Sequence, residues 1–99
     1  ASKNSNFEKE QKIISENTLI YPNPVASSLH IIIPSSEETL GDSFISITDV
    51  LGKVVGNYIY KESNTSLDLD LSNLSSGSYF IKITNKREVI TKKIMKQWF

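Results

Sequence analysis

The amino-acid sequence predicts an all-β domain, an immunoglobulin-like β-sandwich of six or seven short, mainly antiparallel strands. Three observations lead there. From Thr18 onward, runs of Ile, Leu, Val, Tyr and Thr are broken by Pro, Gly, Asn and Ser at a spacing of roughly 8–12 residues, the rhythm of strands joined by turns. Within the runs apolar and polar residues alternate, which gives a strand one face for a core and one for water. No stretch carries a convincing helical period. With 99 residues the chain holds one such domain and a single modest core.

Residues 1–17 stand apart as a polar linker or tail before the domain at 18–99. They hold only Phe7, Ile13 and Ile14 as large apolar residues, so a helix there would have little to bury. The first strand is Leu19–Tyr21, stopped by Pro22-Asn23-Pro24. The prolines remove backbone donors and place this strand at a sheet edge. Leu29–Ile33 follows, with Leu29, Ile31 and Ile33 on one face and His30 and Ile32 on the other, before Pro34 ends it. Residues 35–42 form an acidic loop. Phe44–Thr48 sets Ile45 and Ile47 together, and Asp49-Val50-Leu51-Gly52-Lys53 turns the chain with Gly52 in the left-handed position.

Val54–Tyr60 returns as the second arm of that hairpin, and Gly56 in its middle marks a bulge or a close backbone approach. After a loop at 61–64, Ser66–Leu71 is the cleanest alternation, with Leu67, Leu69 and Leu71 inward and Asp68 and Asp70 outward. A turn at Ser72–Ser78 around Gly77 precedes Tyr79–Thr84, where Tyr79, Ile81 and Ile83 share a face. A turn at 85–87 leads into the last strand, Glu88–Lys96. The expected core is therefore Leu29, Ile31, Ile33, Ile45, Ile47, Leu67, Leu69, Leu71, Tyr79, Ile81 and Ile83.

Composition excludes several functions. With no cysteine there is no thiolate catalysis, no sulfur-ligated zinc and no disulfide, and one histidine cannot make a His-rich metal site. The apolar runs fall far short of the roughly 18 residues that span a bilayer, so no stable membrane insertion is expected. The N-terminal residues lack a signal-peptide pattern, so a leader for an exported chain lies elsewhere. Eleven basic residues balance eleven acidic ones, which argues against a nucleic-acid partner. The balance hides an asymmetry: residues 80–99 carry six basic side chains against one acidic, and residues 21–79 carry two against seven.

Three small constellations invite chemistry. Asp49, Asp68 and Asp70 suggest a calcium site, yet alternating acids on a strand read first as a solvent face, and no metal is expected. His30 with a Ser and an Asp suggests a triad; without a nucleophile motif it reads as a structural histidine among strand isoleucines. Tyr58 and Tyr60 share a strand face and read as core packing, with a sugar-stacking pair as the other use of such an arrangement.

Four segments, read together, resemble the C-terminal sorting domain of the type IX (Por) secretion system of Bacteroidota. They are Tyr21-Pro22-Asn23-Pro24, Thr48-Asp49-Val50-Leu51-Gly52-Lys53-Val54-Val55, the stretch from Leu71-Ser72-Asn73-Leu74 through Gly77-Ser78-Tyr79-Phe80 to Ile83, and Lys92-Lys93-Ile94-Met95-Lys96. Each is short and common alone; their order and spacing over Leu19 to Lys96 carry the resemblance. It implies a non-catalytic domain without cofactor that sends an upstream cargo protein through the periplasm and across the outer membrane, to the cell surface or the medium. Its implied partners are the outer-membrane translocon, its shuttle components and a sortase-like peptidase, which here would cut within Ser2–Asn17. The implied recognition residues are Tyr21, Pro22, Asn23, Pro24, Asp49, Gly52, Lys53, Gly77, Tyr79, Lys92, Lys93 and Lys96. The chain departs from the family in carrying Gln97-Trp98-Phe99 after the terminal basic strand.

Two of these positions admit two readings. Tyr79 either buries its ring as core or lends its hydroxyl to a partner. The terminal lysines either contact an acidic or anionic partner, or guard a sheet edge against strand association. A rival function, an accessory carbohydrate-binding or fibronectin-like module of a secreted enzyme, shares the fold and rests on Tyr58 and Tyr60. Edge strands also predict weak homodimerisation.

Overall fold

A computed structural model describes residues 17–34 and 41–97. Most of the polar linker, most of the acidic loop and Trp98-Phe99 lie outside the described residues. Seven strands follow in order: β1 (Leu19–Tyr21), β2 (Ser28–Ile32), β3 (Ser43–Asp49), β4 (Val54–Tyr60), β5 (Leu67–Asp70), β6 (Gly77–Thr84) and β7 (Val89–Lys96). They form two antiparallel sheets, β1-β2-β5 and β4-β3-β6-β7. The predicted sandwich is the observed fold, and β1 does occupy a sheet edge.

The alternation read from the sequence sets which residues meet between the sheets. Leu29, Ile31, Ile33, Ile45, Ile47, Leu69, Leu71, Tyr79, Ile81 and Ile83 are all buried. Leu67, expected with them, is half-buried and packs against the cluster from the rim. Each fully buried Leu or Ile contributes roughly 2 kcal/mol of transfer free energy, the main stabilisation available without disulfides. Val25, Tyr60, Ile90 and Ile94 complete the core. Ile33 lies one residue past β2, where its N–H donates to the Tyr60 hydroxyl, and that hydroxyl donates back to the Ile33 carbonyl.

Gly56 shows both features expected of it. The β3–β4 register shifts between Ile47, which faces Gly56, and Thr48, which faces Val54, so Val55 is the extra residue of a bulge. A Cβ on Gly56 would also stand 2.9 Å from the Tyr58 ring, which lies back over the glycine. The charge asymmetry becomes a polarity through the sandwich. Pairing places Asp68 and Asp70 on the outer face of the three-stranded sheet, and Lys82 and Lys93 on that of the four-stranded sheet.

Candidate functional site

The four motif segments, far apart in sequence, meet at one end of the sandwich. Asp49 ends β3 opposite Tyr79, Gly77 opens β6 opposite Lys96, and Val25 forms a parallel bridge to Lys96. The Leu71 N–H donates to the Ser27 carbonyl at 2.7 Å, which brings the β5–β6 loop against the segment after β1. The chain from residue 17 enters at the opposite end, where Leu19 pairs with Ile32.

Asn23 is the centre of the first contact. Its Oδ1 accepts the Met95 N–H at 3.0 Å and its Nδ2 donates to the Lys93 carbonyl at 3.3 Å. Two backbone bonds extend the contact: Val25 N–H to the Met95 carbonyl and Gln97 N–H to the Val25 carbonyl, both at 2.8 Å. The carboxamide thus does for the β7 edge what a neighbouring strand would do, satisfying one donor and one acceptor. The peptide bonds before Pro22 and Pro24 are both cis. The sequence flagged the Tyr-Pro-Asn-Pro segment as a strand stop; its partnership with β7 bridges 70 residues and leaves no local signal.

The second contact is the β3–β4 turn. Asp49 Oδ1 accepts the N–H groups of Leu51 and Lys53, each at 2.9 Å, while the Asp49 N–H donates to the Lys53 carbonyl. Gly52 sits at φ 87°, a conformation that favours glycine. This fixed turn holds Leu51 90% exposed at its tip. Beside it the β5–β6 loop forms the other wall of a shallow cleft lined by Asp49, Lys53, Val55, Leu74 and Tyr79.

Tyr79 resolves toward the core. Its ring is 6% exposed, and its hydroxyl donates to the Ser75 carbonyl at 2.7 Å, four residues upstream. The hydroxyl therefore ties down the loop between β5 and β6. The terminal lysines separate. Lys92 and Lys93 are exposed, but Lys96 is 3% exposed on the inner side of β7, with its Nζ 3.4 Å from the Gln97 carbonyl. The three are thus no continuous basic face, since Lys96 turns inward opposite Gly77.

The remaining constellations are structural. His30 lies on the outer face of its sheet, its Nδ1 2.6 Å from Asp68 Oδ1 and its ring against Tyr21, a row that crosses all three strands. It stands on the face opposite Leu29 and Ile31, as the alternation of the strand predicts. Asp70 is held below the usual carboxylate range by hydrogen bonds from the Ser72 side chain and N–H. With Asp49 spent in its turn, the three aspartates serve three separate local tasks, and no group of three or more metal-ligating side chains lies together among the described residues. Tyr60 is buried and Tyr58 folds over Gly56, so the pair offers no open stacking platform.

Comparisons with known proteins complete the picture. A crystal structure of a DUF3244 family protein from Bacteroides vulgatus, with an immunoglobulin-like β-sandwich fold, is similar at a TM-score of 0.67 and 20% identity. The match covers 81% of this chain and 84% of that one, and at this identity it speaks for the fold. No curated protein matches the chain. The secretion system C-terminal sorting domain family matches residues 19–97, the span over which the four segments converge. The chain therefore belongs to the family of C-terminal sorting domains of the type IX secretion system.

Proposed function

We propose that this domain is a non-catalytic address: it carries an upstream cargo to the outer-membrane translocon and its shuttle components, which read the end of the sandwich where the four segments meet. The observation that carries the reading is this convergence, with the linker side of the chain at the opposite end. Asn23, Asp49, Gly52, Gly77 and Tyr79 build the shape of that end, while Leu51, Lys53, Lys92 and Lys93 stand exposed for a partner. Cargo crosses the periplasm and is released or attached at the cell surface after a sortase-like peptidase cuts within Ser2–Asn17.

The test fuses residues 1–99 behind a periplasmic reporter in a strain with the translocon and compares it with a Lys92→Gln, Lys93→Gln double variant. Both lysines are exposed, so stability should move by no more than about 0.5 kcal/mol. The unaltered fusion is expected in the medium or on the surface and the variant in the periplasm. Equal export of the variant, with its melting curve intact, removes the exposed lysines from the recognition surface. Failure of the unaltered fusion to leave the periplasm would sink the sorting role itself.

A further inference from the structure

The two sheets have four outer edges, and three of them are blocked. β7 is strapped by Asn23 and Val25 along its C-terminal half and carries the exposed Lys92 and Lys93. β1 is three residues long and stops at Pro22, and β5 is four residues long with Asp68 and Asp70 alternating along it. These are the usual ways in which a sheet edge is kept from pairing. β4 has none of them. Its seven residues, Val54-Val55-Gly56-Asn57-Tyr58-Ile59-Tyr60, include no charge and no proline, and among the described residues it pairs with β3 alone. Val54 and Ile59 are 49% and 48% exposed. The bulge occupies the start of the strand, so the regular, open edge is Gly56 to Tyr60.

Charged side chains stand at both ends of β4. Lys53 precedes it, beside the Asp49 carboxylate, which accepts two N–H groups of the turn. At the far end Asp42 and Glu62 lie together, the Asp42 Oδ1 accepting the Glu62 N–H, with Lys61 next in sequence and Lys86 beside Gly41 and Asp42. The register of an antiparallel copy decides which of these charges meet. Centring the pair on Tyr58 sets Gly56 opposite Tyr60 and Asn57 opposite Ile59, and brings Lys53 within one residue of Glu62 at both ends. Centring it on Asn57 would instead oppose Lys53 and Lys61. Charge thus selects the first register.

We propose that the domain self-associates as a two-fold dimer through its β4 edges, joining two four-stranded sheets into one of eight strands. The pairing is isologous and uses up the open edge of each copy, so assembly stops at two. With about five regular residues per copy the contact is small, and a Kd of roughly 10⁻⁵ to 10⁻³ M is expected. The proposal is independent of the sorting role, because its readout is mass and not export.

Sedimentation equilibrium of the 99-residue chain, from about 5 µM to about 1 mM, tests it across that range. The weight-average mass should rise from 11.1 kDa toward twice that value, and more steeply at low salt. Asn57→Lys places two cations across the axis and should keep the chain monomeric with an unchanged melting curve. Lys53→Glu should weaken the dimer about tenfold at low salt. Adding Glu62→Lys to it should restore the association. A monomer at the highest concentration overturns the proposal. So does a dimer indifferent to Asn57→Lys, or a mass that climbs past two copies.

Discussion

Replacing Tyr79 with Phe separates two tasks that this residue could perform. The ring is 6% exposed and Phe keeps it, so the apolar burial is unchanged. What is lost is the 2.7 Å hydrogen bond from the hydroxyl to the Ser75 carbonyl. A neutral hydrogen bond contributes about 1 kcal/mol net, and more when its loss leaves a buried partner unsatisfied. Ser75 is exposed, so water can replace the hydroxyl and the cost stays near 1 kcal/mol. For a domain of this size that corresponds to a fall in Tm of about 4–8 °C. Thermal unfolding followed by circular dichroism reads this directly, and the reporter fusion reads export in parallel. A lower Tm is expected, with export retained at temperatures where the domain is folded. An unmoved Tm together with lost export would refute it, since the hydroxyl would then be serving a partner and not the loop.

Two further outcomes follow from local geometry. Gly56→Ala should cost no more than about 1 kcal/mol in urea unfolding, because the new Cβ would stand 2.9 Å from the far end of the half-buried Tyr58 side chain alone, which can swing aside. Asp70 has a depressed carboxyl pKa in the folded state, so its contribution is present above the ordinary aspartate range and is lost as pH falls through the lower folded value. Asp70→Asn should flatten the acid limb of a stability-versus-pH curve below about pH 4 and leave the neutral region little changed.

The sandwich was legible because the alternation is clean where it matters. Phe44–Thr48, Leu67–Leu71 and Tyr79–Thr84 each carry two or three large aliphatic or aromatic residues at a period of two, and a one-residue slip would expose them all. The missed core residues show where that signal ends. Val25 lies in a proline-bounded loop with no alternation of its own, and its burial depends on β7, some 70 residues away. Ile90 and Ile94 were readable by parity within the last strand. So was Lys96, which shares their face, but its charge argued for solvent and parity prevailed. The motifs were visible as four short phrases; that they form one surface was not, because hydrogen bonds such as those of Asn23 are set by tertiary placement and not by neighbours in sequence.

The strap between Asn23 and β7 makes the surface depend on a complete chain. Its anchors, the Lys93 carbonyl and the Met95 N–H, are among the last described residues to be synthesised, while Asn23 is among the first of the folded span. A polypeptide cut short before β7 lacks both anchors, together with Ile90 and Ile94 from the core. It can carry the Tyr-Pro-Asn-Pro segment and both motif turns and still present no finished surface. On the proposed reading, the address certifies its own completeness: a broken message bears no legible destination and stays behind.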